Sequence, residues 1–444
     1  MTPLLASLVF FLLIIVIVGS GVWIFAGLLI VAVISFAGLL GMPLDRVGAI
    51  TTRVMASNAI SWELAAIPMF MLMGEIIHRT NVSDRLFSGL APLVRRIPGG
   101  LVHTNVLGCT IFAAVSGSSV ATTATVGKIS VRQLLRRGYD GNLVTGSLAG
   151  AGSFGLMIPP SMPMIVYGIL AQVSISKLFI AGVLPGLMMA SLYSGYIVLR
   201  ALAKPSLAPH PHADEFNGIL HGIYQLLPIF ILILIVLGSI YSGLATPSEA
   251  AAVGVATSIV LAAFLRQLTI RMLVESLMTS IQISSMIGLL VIAAVVASSA
   301  VAYLNIPEIL AAYIHTMDVG PFMLIFILAI FYIILGTALE GTSMLIMTVP
   351  IVLPLVVGVG WDPIWFGIFL IVMIELSALT PPVGLNLNIL QGLTGYSYNR
   401  VFVATIPFFG LLCLGLVIMA NFLRSYCGCP ELCRTVQAGL PASA

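Results

Sequence analysis

Residues 101–127, LVHTNVLGCTIFAAVSGSSVATTATVG, are apolar enough for a bilayer and about as long as the ~20 residues that cross one. Both flanks are basic: Arg95 and Arg96 precede the segment, and Lys128, Arg132, Arg136 and Arg137 follow it. Lys and Arg beside membrane segments stay on the cytoplasmic side. Both ends therefore claim the same face, so the segment enters the membrane and turns back. Ser116-Gly117-Ser118-Ser119 supplies the turn. Irregular backbone at that depth persists only where protein or a water-filled cavity satisfies its polar groups. A re-entrant hairpin here thus also predicts a binding site.

The bilayer is the solvent for most of the chain. Of 444 residues, 60% are hydrophobic and 7% charged, against about 25% charged in soluble domains. No polar stretch is long enough to bury the core of a second, soluble domain. The net charge of +3 says little about partners, but its placement gives an orientation. Lys and Arg cluster at 78–100, 128–140, 200–204 and 266–271, whereas 303–320 and 358–363 hold Glu308, Asp318 and Asp362 and no basic residue. The N-terminal run lacks the basic flank and cleavage site of a secretory signal and is read as the first membrane helix. Cys109 and Cys413 lie in apolar segments, while Cys427, Cys429 and Cys433 fall in a tail, 424–444, expected to be unstructured.

Apolar runs and polar breaks give crossings at about 3–18, 21–40 and 59–77, a surface helix at 80–96, the hairpin at about 99–127, a broken helix at about 141–170, and a run at 178–199. The polar connector 201–220 suits a cytoplasmic linker. Runs then follow at about 222–241, 248–265 and 276–301, a surface stretch at 303–318, a second hairpin at about 320–357, a second broken helix at about 364–392, and a last run at 401–423. Pro159-Pro160 matches Pro381-Pro382 at a spacing of 222, half of 444. The same spacing carries Gly99 to Pro321 and Ser116 to Ala338. Five crossings per half is an odd number, so 221–423 enters the membrane inverted relative to 1–200. The expected fold is an all-α membrane protein of about 10 transmembrane helices and two re-entrant hairpins in two inverted-topology repeats. Such repeats mark secondary transporters with midplane sites built from discontinuous helices.

Two tips, 116–119 and 336–343, and two breaks, 155–161 and 380–384, should converge. Each offers backbone carbonyls and hydroxyls, the hard oxygen ligands of a small alkali cation. Helix C-termini at the breaks favour a cation and N-termini an anion. A cation site per half, with an anionic substrate between them, is the expectation. Small residues also serve helix packing, which suffices for Gly146 and Ser147; the clusters at matched positions point to function. Glu340 is the sharpest single residue, because a carboxylate at depth costs roughly 2.5–3.5 kcal/mol on insertion scales. Glu375 lies one turn before the second break, either a ligand or a partner for a helix end. Glu63 and Glu75 are read as reaching the interface, His103 as standing at the hairpin entrance, and the Met residues as apolar filling.

The strings IPGGL (97–101), AVSGSSVATTATVG (114–127), RRGYD (136–140), IPPSMPMIVYG (158–168), LFIAGVLPG (178–186), LEGTSM (339–344) and LTPPVGLNL (379–387) resemble the large membrane subunit of TRAP transporters, the tripartite ATP-independent periplasmic carriers. The resemblance covers nearly the whole chain. It implies an ion-transporter-superfamily fold with an elevator mechanism and symport of an organic anion, usually with sodium. It also implies a small four-helix membrane subunit and a periplasmic solute-binding protein as partners. One sodium site would use Ser116, Ser119, Gly155, Ile158 and Pro160; the other would use Gly336, Thr380 and Val383, with Glu340 nearby. Ser118 and Ser161 would face the substrate, with Pro159, Thr342 and Pro381 beside them. The chain has Glu340 where the family commonly has Asp, and K-I-S-V-R-Q after Gly127 where A-L-P-E is commoner.

The expected function is sodium-coupled uptake of a small carboxylate, such as a C4-dicarboxylate or a sugar acid, across a bacterial inner membrane, without enzymatic chemistry; proton coupling stays open. Besides those partners the chain meets the lipid bilayer and no nucleic acid. One alternative is a stand-alone carboxylate symporter of the same superfamily. An intramembrane hydrolase is the other, but H-E-x-x-H and a G-x-S-x-G elbow near a His are both missing.

Overall fold

The computed structural model describes residues 3–209, 218–309 and 320–423. The proposed tail with its three cysteines, most of the surface stretch at 303–318 and the middle of the linker lie outside these residues. Among the described residues every regular element is helical. The first half runs α1 (Pro3–Gly19), α2 (Ile24–Ile34), α3 (Leu44–Ala59), α4 (Ala66–His78), α5 (Val82–Val94), α6 (His103–Ser116), α7 (Ser119–Arg136), α8 (Gly141–Gly152), α9 (Met162–Ala171) and α10 (Ile175–Ala203). The second runs α11 (Ile219–Tyr241), α12 (Pro247–Phe264), α13 (Ile270–Tyr303), α14 (Pro321–Ala338), α15 (Gly341–Gly358), α16 (Pro363–Ala378), α17 (Leu385–Thr394) and α18 (Tyr398–Ile418).

Helix ends recur at the spacing read from the prolines. The first residues of α7 and α15 are 119 and 341, those of α8 and α16 are 141 and 363, and α6 and α14 end at 116 and 338; each difference is 222. The local causes recur too. Asp140 accepts a hydrogen bond from the Leu143 N–H (2.8 Å) at the start of α8. Asp362 accepts from the Ile364 and Trp365 N–H groups (2.8 and 2.9 Å) at the start of α16. Both are N-caps, which satisfy amides that a helix leaves free. Just ahead of them, Gly138 and Gly360 have φ of 78° and 88°, the left-handed geometry glycine adopts without penalty after a helix end. Pro159-Pro160 and Pro381-Pro382 are both cis and lie in the non-helical stretches that separate α8 from α9 and α16 from α17. Prolines supply no N–H to a helix ladder, so the chain cannot run through as one helix.

The structure differs from the sequence expectation at 44–59. That stretch is a helix, α3, bent by 52° from the helical segment that ends with α4. It is amphipathic: Asp45, Arg46 and Arg53 are exposed and Val47 is buried. Its counterpart in the second half is the first part of α13, which runs straight for 34 residues. Among the described residues seven helices are long and apolar enough to cross a bilayer, α10 to α15 and α18, or eight if the bent pair is one span. Five of the ten expected crossings, α10 to α13 and α18, meet that length; α14 and α15 are the arms of the expected second hairpin, α1, α2 and α4 have 17, 11 and 13 residues, and the pieces of the broken helices have 10–16. The chain is a multi-pass, all-helical membrane protein.

α16 is buried from Trp365 to Ala378, as befits a helix apolar all round. Tyr167 and Tyr193 are buried beside it, their hydroxyls donating to the carbonyls of Pro363 (2.5 Å) and Phe408 (3.2 Å). α4 packs against α12 and α13, and α5 against α11. α5 fills the stretch expected to be a surface helix, with its buried Leu86, Leu90 and Val94 on one face.

Candidate functional site: a cavity between hairpin tips, helix breaks and two long helices

A cavity of about 430 Å³ opens where four helices begin. Its wall includes Ser118, Ser119 and Ala121 at the start of α7, Met162 and Pro163 of α9, Gly341 and Thr342 of α15, and Leu385 of α17. Each helix N-terminus carries a partial positive charge and free amides, the usual seat of an anion. The opposite wall is formed by one face each of α4 (Met71, Gly74, Glu75, His78) and α13 (Ile283, Met286, Ile287, Leu290). Both sets follow the i, i+3, i+4, i+7 spacing of a single helical stripe.

The two hairpin tips are capped differently. Ser118 caps α7 through a long contact from the Ala121 N–H (3.4 Å). At the matched position, 118 + 222 = 340, Glu340 caps α15. Its carboxylate accepts from the Ser343 N–H (3.1 Å) and from the Thr342 hydroxyl (2.9 Å). The positive end of α15 thus meets a carboxylate of its own chain, whereas that of α7 meets a neutral hydroxyl.

A second, wetter cavity of about 750 Å³ adjoins the first and shares Glu75 and His78 with it. There Arg79 bridges Glu75 (3.4 Å) and Glu275 (2.8 Å), and Arg271 also pairs with Glu275 (2.8 Å). His78 and the Thr125 hydroxyl are hydrogen-bonded, tying α4 to α7.

Residues 5–424 match the family model of the tripartite ATP-independent periplasmic transporter, DctM component. The chain belongs to the DctM family. It is 34% identical over 361 residues to the C4-dicarboxylate TRAP transporter large permease protein of Pseudomonas aeruginosa, covering 81% of this chain and 84% of that one. It is 28% identical over 376 residues to the sialic acid TRAP transporter large permease protein of Vibrio cholerae, covering 84% and 87%. Among solved structures, the YdaH transporter of Alcanivorax borkumensis has a similar fold, with a TM-score of 0.64 at 14% identity over 87% of this chain and 90% of that one. DctM proteins are transporter permeases rather than enzymes, which disposes of the hydrolase alternative.

Of the residues the sequence singles out in this DctM chain, Ser116, Ser118, Ser119, Glu340, Thr342 and Val383 line the first cavity. Gly155 and Pro160 lie directly behind the first tip. A Cβ on Gly155 would overlap the Ser118 carbonyl oxygen, and one on Gly117 would stand 3.0 Å from the Pro160 carbonyl oxygen. Thr122 completes this cluster, 2.7 Å from the Ser116 hydroxyl and donating to the Ser118 carbonyl (2.8 Å). Ile158, half-buried, packs toward Gly186. In the second half, Gly336 abuts Ser377, Thr380 donates to the Leu376 carbonyl (2.6 Å), and the Val383 carbonyl accepts from Asn388 (2.9 Å). Ser161 is fully buried and its hydroxyl donates to the carbonyl of Leu156, itself a residue of the cavity wall. Pro159 is buried and Pro381 half-buried, and neither lines the cavity.

Among the described residues no three His, Cys, Asp or Glu side chains come together as metal ligands. Apart from the Glu340 carboxylate, the oxygens at the tips and breaks are carbonyls and hydroxyls, hard donors rather than the thiolates and imidazoles that favour transition metals. His103 stands at the hairpin entrance as expected, buried, its Nε2 2.9 Å from the Pro98 carbonyl oxygen. Glu375 is fully buried, and both its oxygens lack a partner among the described residues. Sequence reasoning missed Gly74, Glu75 and His78 as cavity residues, and Thr122 and Ser377 beside the tips. The stripe Met71-Gly74-Glu75-His78 was the available signal, since an ionisable residue on an apolar helix faces protein or water rather than lipid.

Proposed function

We propose that this chain is the permease of a sodium-coupled uptake system for a small organic anion in a bacterial inner membrane. The observation that carries this reading is the convergence of four positive helix ends on one cavity, between two capped tips and the faces of α4 and α13. Relatives are named for a C4-dicarboxylate, sialic acid, isethionate and 2,3-diketo-L-gulonate. Their common chemistry is an anionic head group, which the start of α7 would hold. Ser116, Ser119, Gly155, Ile158 and Pro160 would hold one sodium ion, and Gly336, Thr380 and Val383 the other, with Glu340 nearby. The two halves lie inverted in the membrane, and 78–100, 128–140, 200–204 and 266–271 face the cytoplasm. The tips and broken helices move as a block past α4 and α13, an elevator shift. A small membrane subunit and a periplasmic binding protein complete the system.

The test is uptake by proteoliposomes containing the chain with its small subunit and cognate binding protein. An inward sodium gradient is expected to drive accumulation of the bound anion. Undiminished uptake without sodium would remove both cation sites. Equal uptake without the binding protein would favour the stand-alone carrier.

A further inference from the structure

α7 links the two cavities along one face. Ser118, Ala121 and Ala124 line the first cavity, and Lys128 lines the second. Thr125, on the same stripe, is held by His78, the residue common to both cavities. From the N-terminus of α7 to Lys128 is ten residues, about 15 Å at 1.5 Å per residue. Between the positive helix end and the ammonium group this stripe carries only small side chains, with His78 over Thr125 where the two cavities meet, so one face has a positive group at each end.

The charges at the far end are unequally engaged. The second cavity holds Arg79, Arg271 and Lys128 against Glu75 and Glu275, three cations against two carboxylates. Arg79 and Arg271 are consumed by the carboxylates of α4 and α13. Lys128 is exposed and forms no ion pair among the described residues. Gln267, Thr269 and Thr279 add neutral hydrogen-bonding groups to the same wall.

We infer that Lys128 and the vestibule around it form a second, low-affinity anion site, which takes the carboxylate or sulfonate group of a substrate as it leaves the α7 N-terminus for the cytoplasm. This rests on the anion-transport reading above. A single ammonium in a wet vestibule, facing two carboxylates that are already paired, attracts an anion without trapping it. Release needs that balance.

The experiment reads local potential rather than transport. Ala124→Cys is placed in the complete complex in inside-out membrane vesicles. It is treated with thiosulfonate reagents of similar size that carry either a sulfonate or a trimethylammonium group. Mass spectrometry reads the adduct at residue 124 apart from the native cysteines. One turn from Lys128, roughly 6 Å away in water, a unit charge changes local ion concentration by about threefold. Replacing Lys128 by Gln is therefore expected to slow the anionic reagent and speed the cationic one, each by about threefold, while Lys128→Arg leaves both rates as they were. Unchanged rates in Lys128→Gln would overturn the proposal, as would an Ala124→Cys that neither reagent reaches. If the labelling behaves as expected but no sodium-driven uptake is found, the anion vestibule stands and the transport reading fails.

Discussion

Position 340 shows how one side chain can serve the fold and shape the site at once. Its carboxylate turns back onto the first turn of α15 and takes the hydrogen bonds of Thr342 and Ser343. The Glu side chain is long enough to reach both donors. Glu340→Ala should cost about 1 kcal/mol, the usual loss for a helix cap, and lower the thermal unfolding temperature of the purified complex. Glu340→Asp should restore it. An unchanged midpoint in Glu340→Ala would show that the cap contributes nothing and that the carboxylate is there for an ion alone. At the matched position Ser118 gives the end of α7 a neutral hydroxyl cap. The same register slot therefore holds a built-in counter-charge in one half and none in the other.

The hairpins are the elements on which the inverted arrangement depends. Exposed positions in the flanks of the first, Arg96 and Arg132, should both be modified from the cytoplasmic face after conversion to cysteine. Gly320→Cys and Val357→Cys, at the ends of the second, should both react from the other face. Labelling of Arg96→Cys and Arg132→Cys from opposite faces would make 101–127 a plain crossing and end the antiparallel scheme. Much of this level was legible in the sequence. The proline pairs, the SGSS turn, Asp140 and Asp362 are local signals whose geometry is fixed by the backbone around them. The rest was obscured for definite reasons. Residues 44–59 stay unassigned between the runs at 21–40 and 59–77 because their apolar content sits on one face only and mixes with Asp45, Arg46 and Arg53. The contribution of α13 to the cavity is four apolar side chains, Ile283, Met286, Ile287 and Leu290, which no sequence pattern separates from lipid-facing ones. For Ser161 the sequence shows a hydroxyl at a break but not the Leu156 carbonyl to which the fold binds it.

For the whole molecule the question is what moves against what. The hydrogen bond between His78 of α4 and Thr125 of α7 joins the body that would stay fixed to the hairpin that would travel. A His78→Cys, Thr125→Cys pair oxidised to a disulfide should abolish uptake, and reduction should restore it. Uptake that survives cross-linking would show that α4 and α7 shift together, contrary to an elevator.

α13 has one more effect on the surroundings of the protein. Its 34 residues extend to about 51 Å at 1.5 Å per residue, well beyond the ~30 Å hydrocarbon layer even at a 40° tilt. The turns bearing Arg271 and Glu275 therefore stand among the lipid phosphates or past them. In the orientation proposed above they would form a parapet on the cytoplasmic rim, where acidic lipids hold a negative surface potential. On the uptake reading proposed above, an anion let go behind that parapet would enter the cell beyond the negative surface potential of the leaflet.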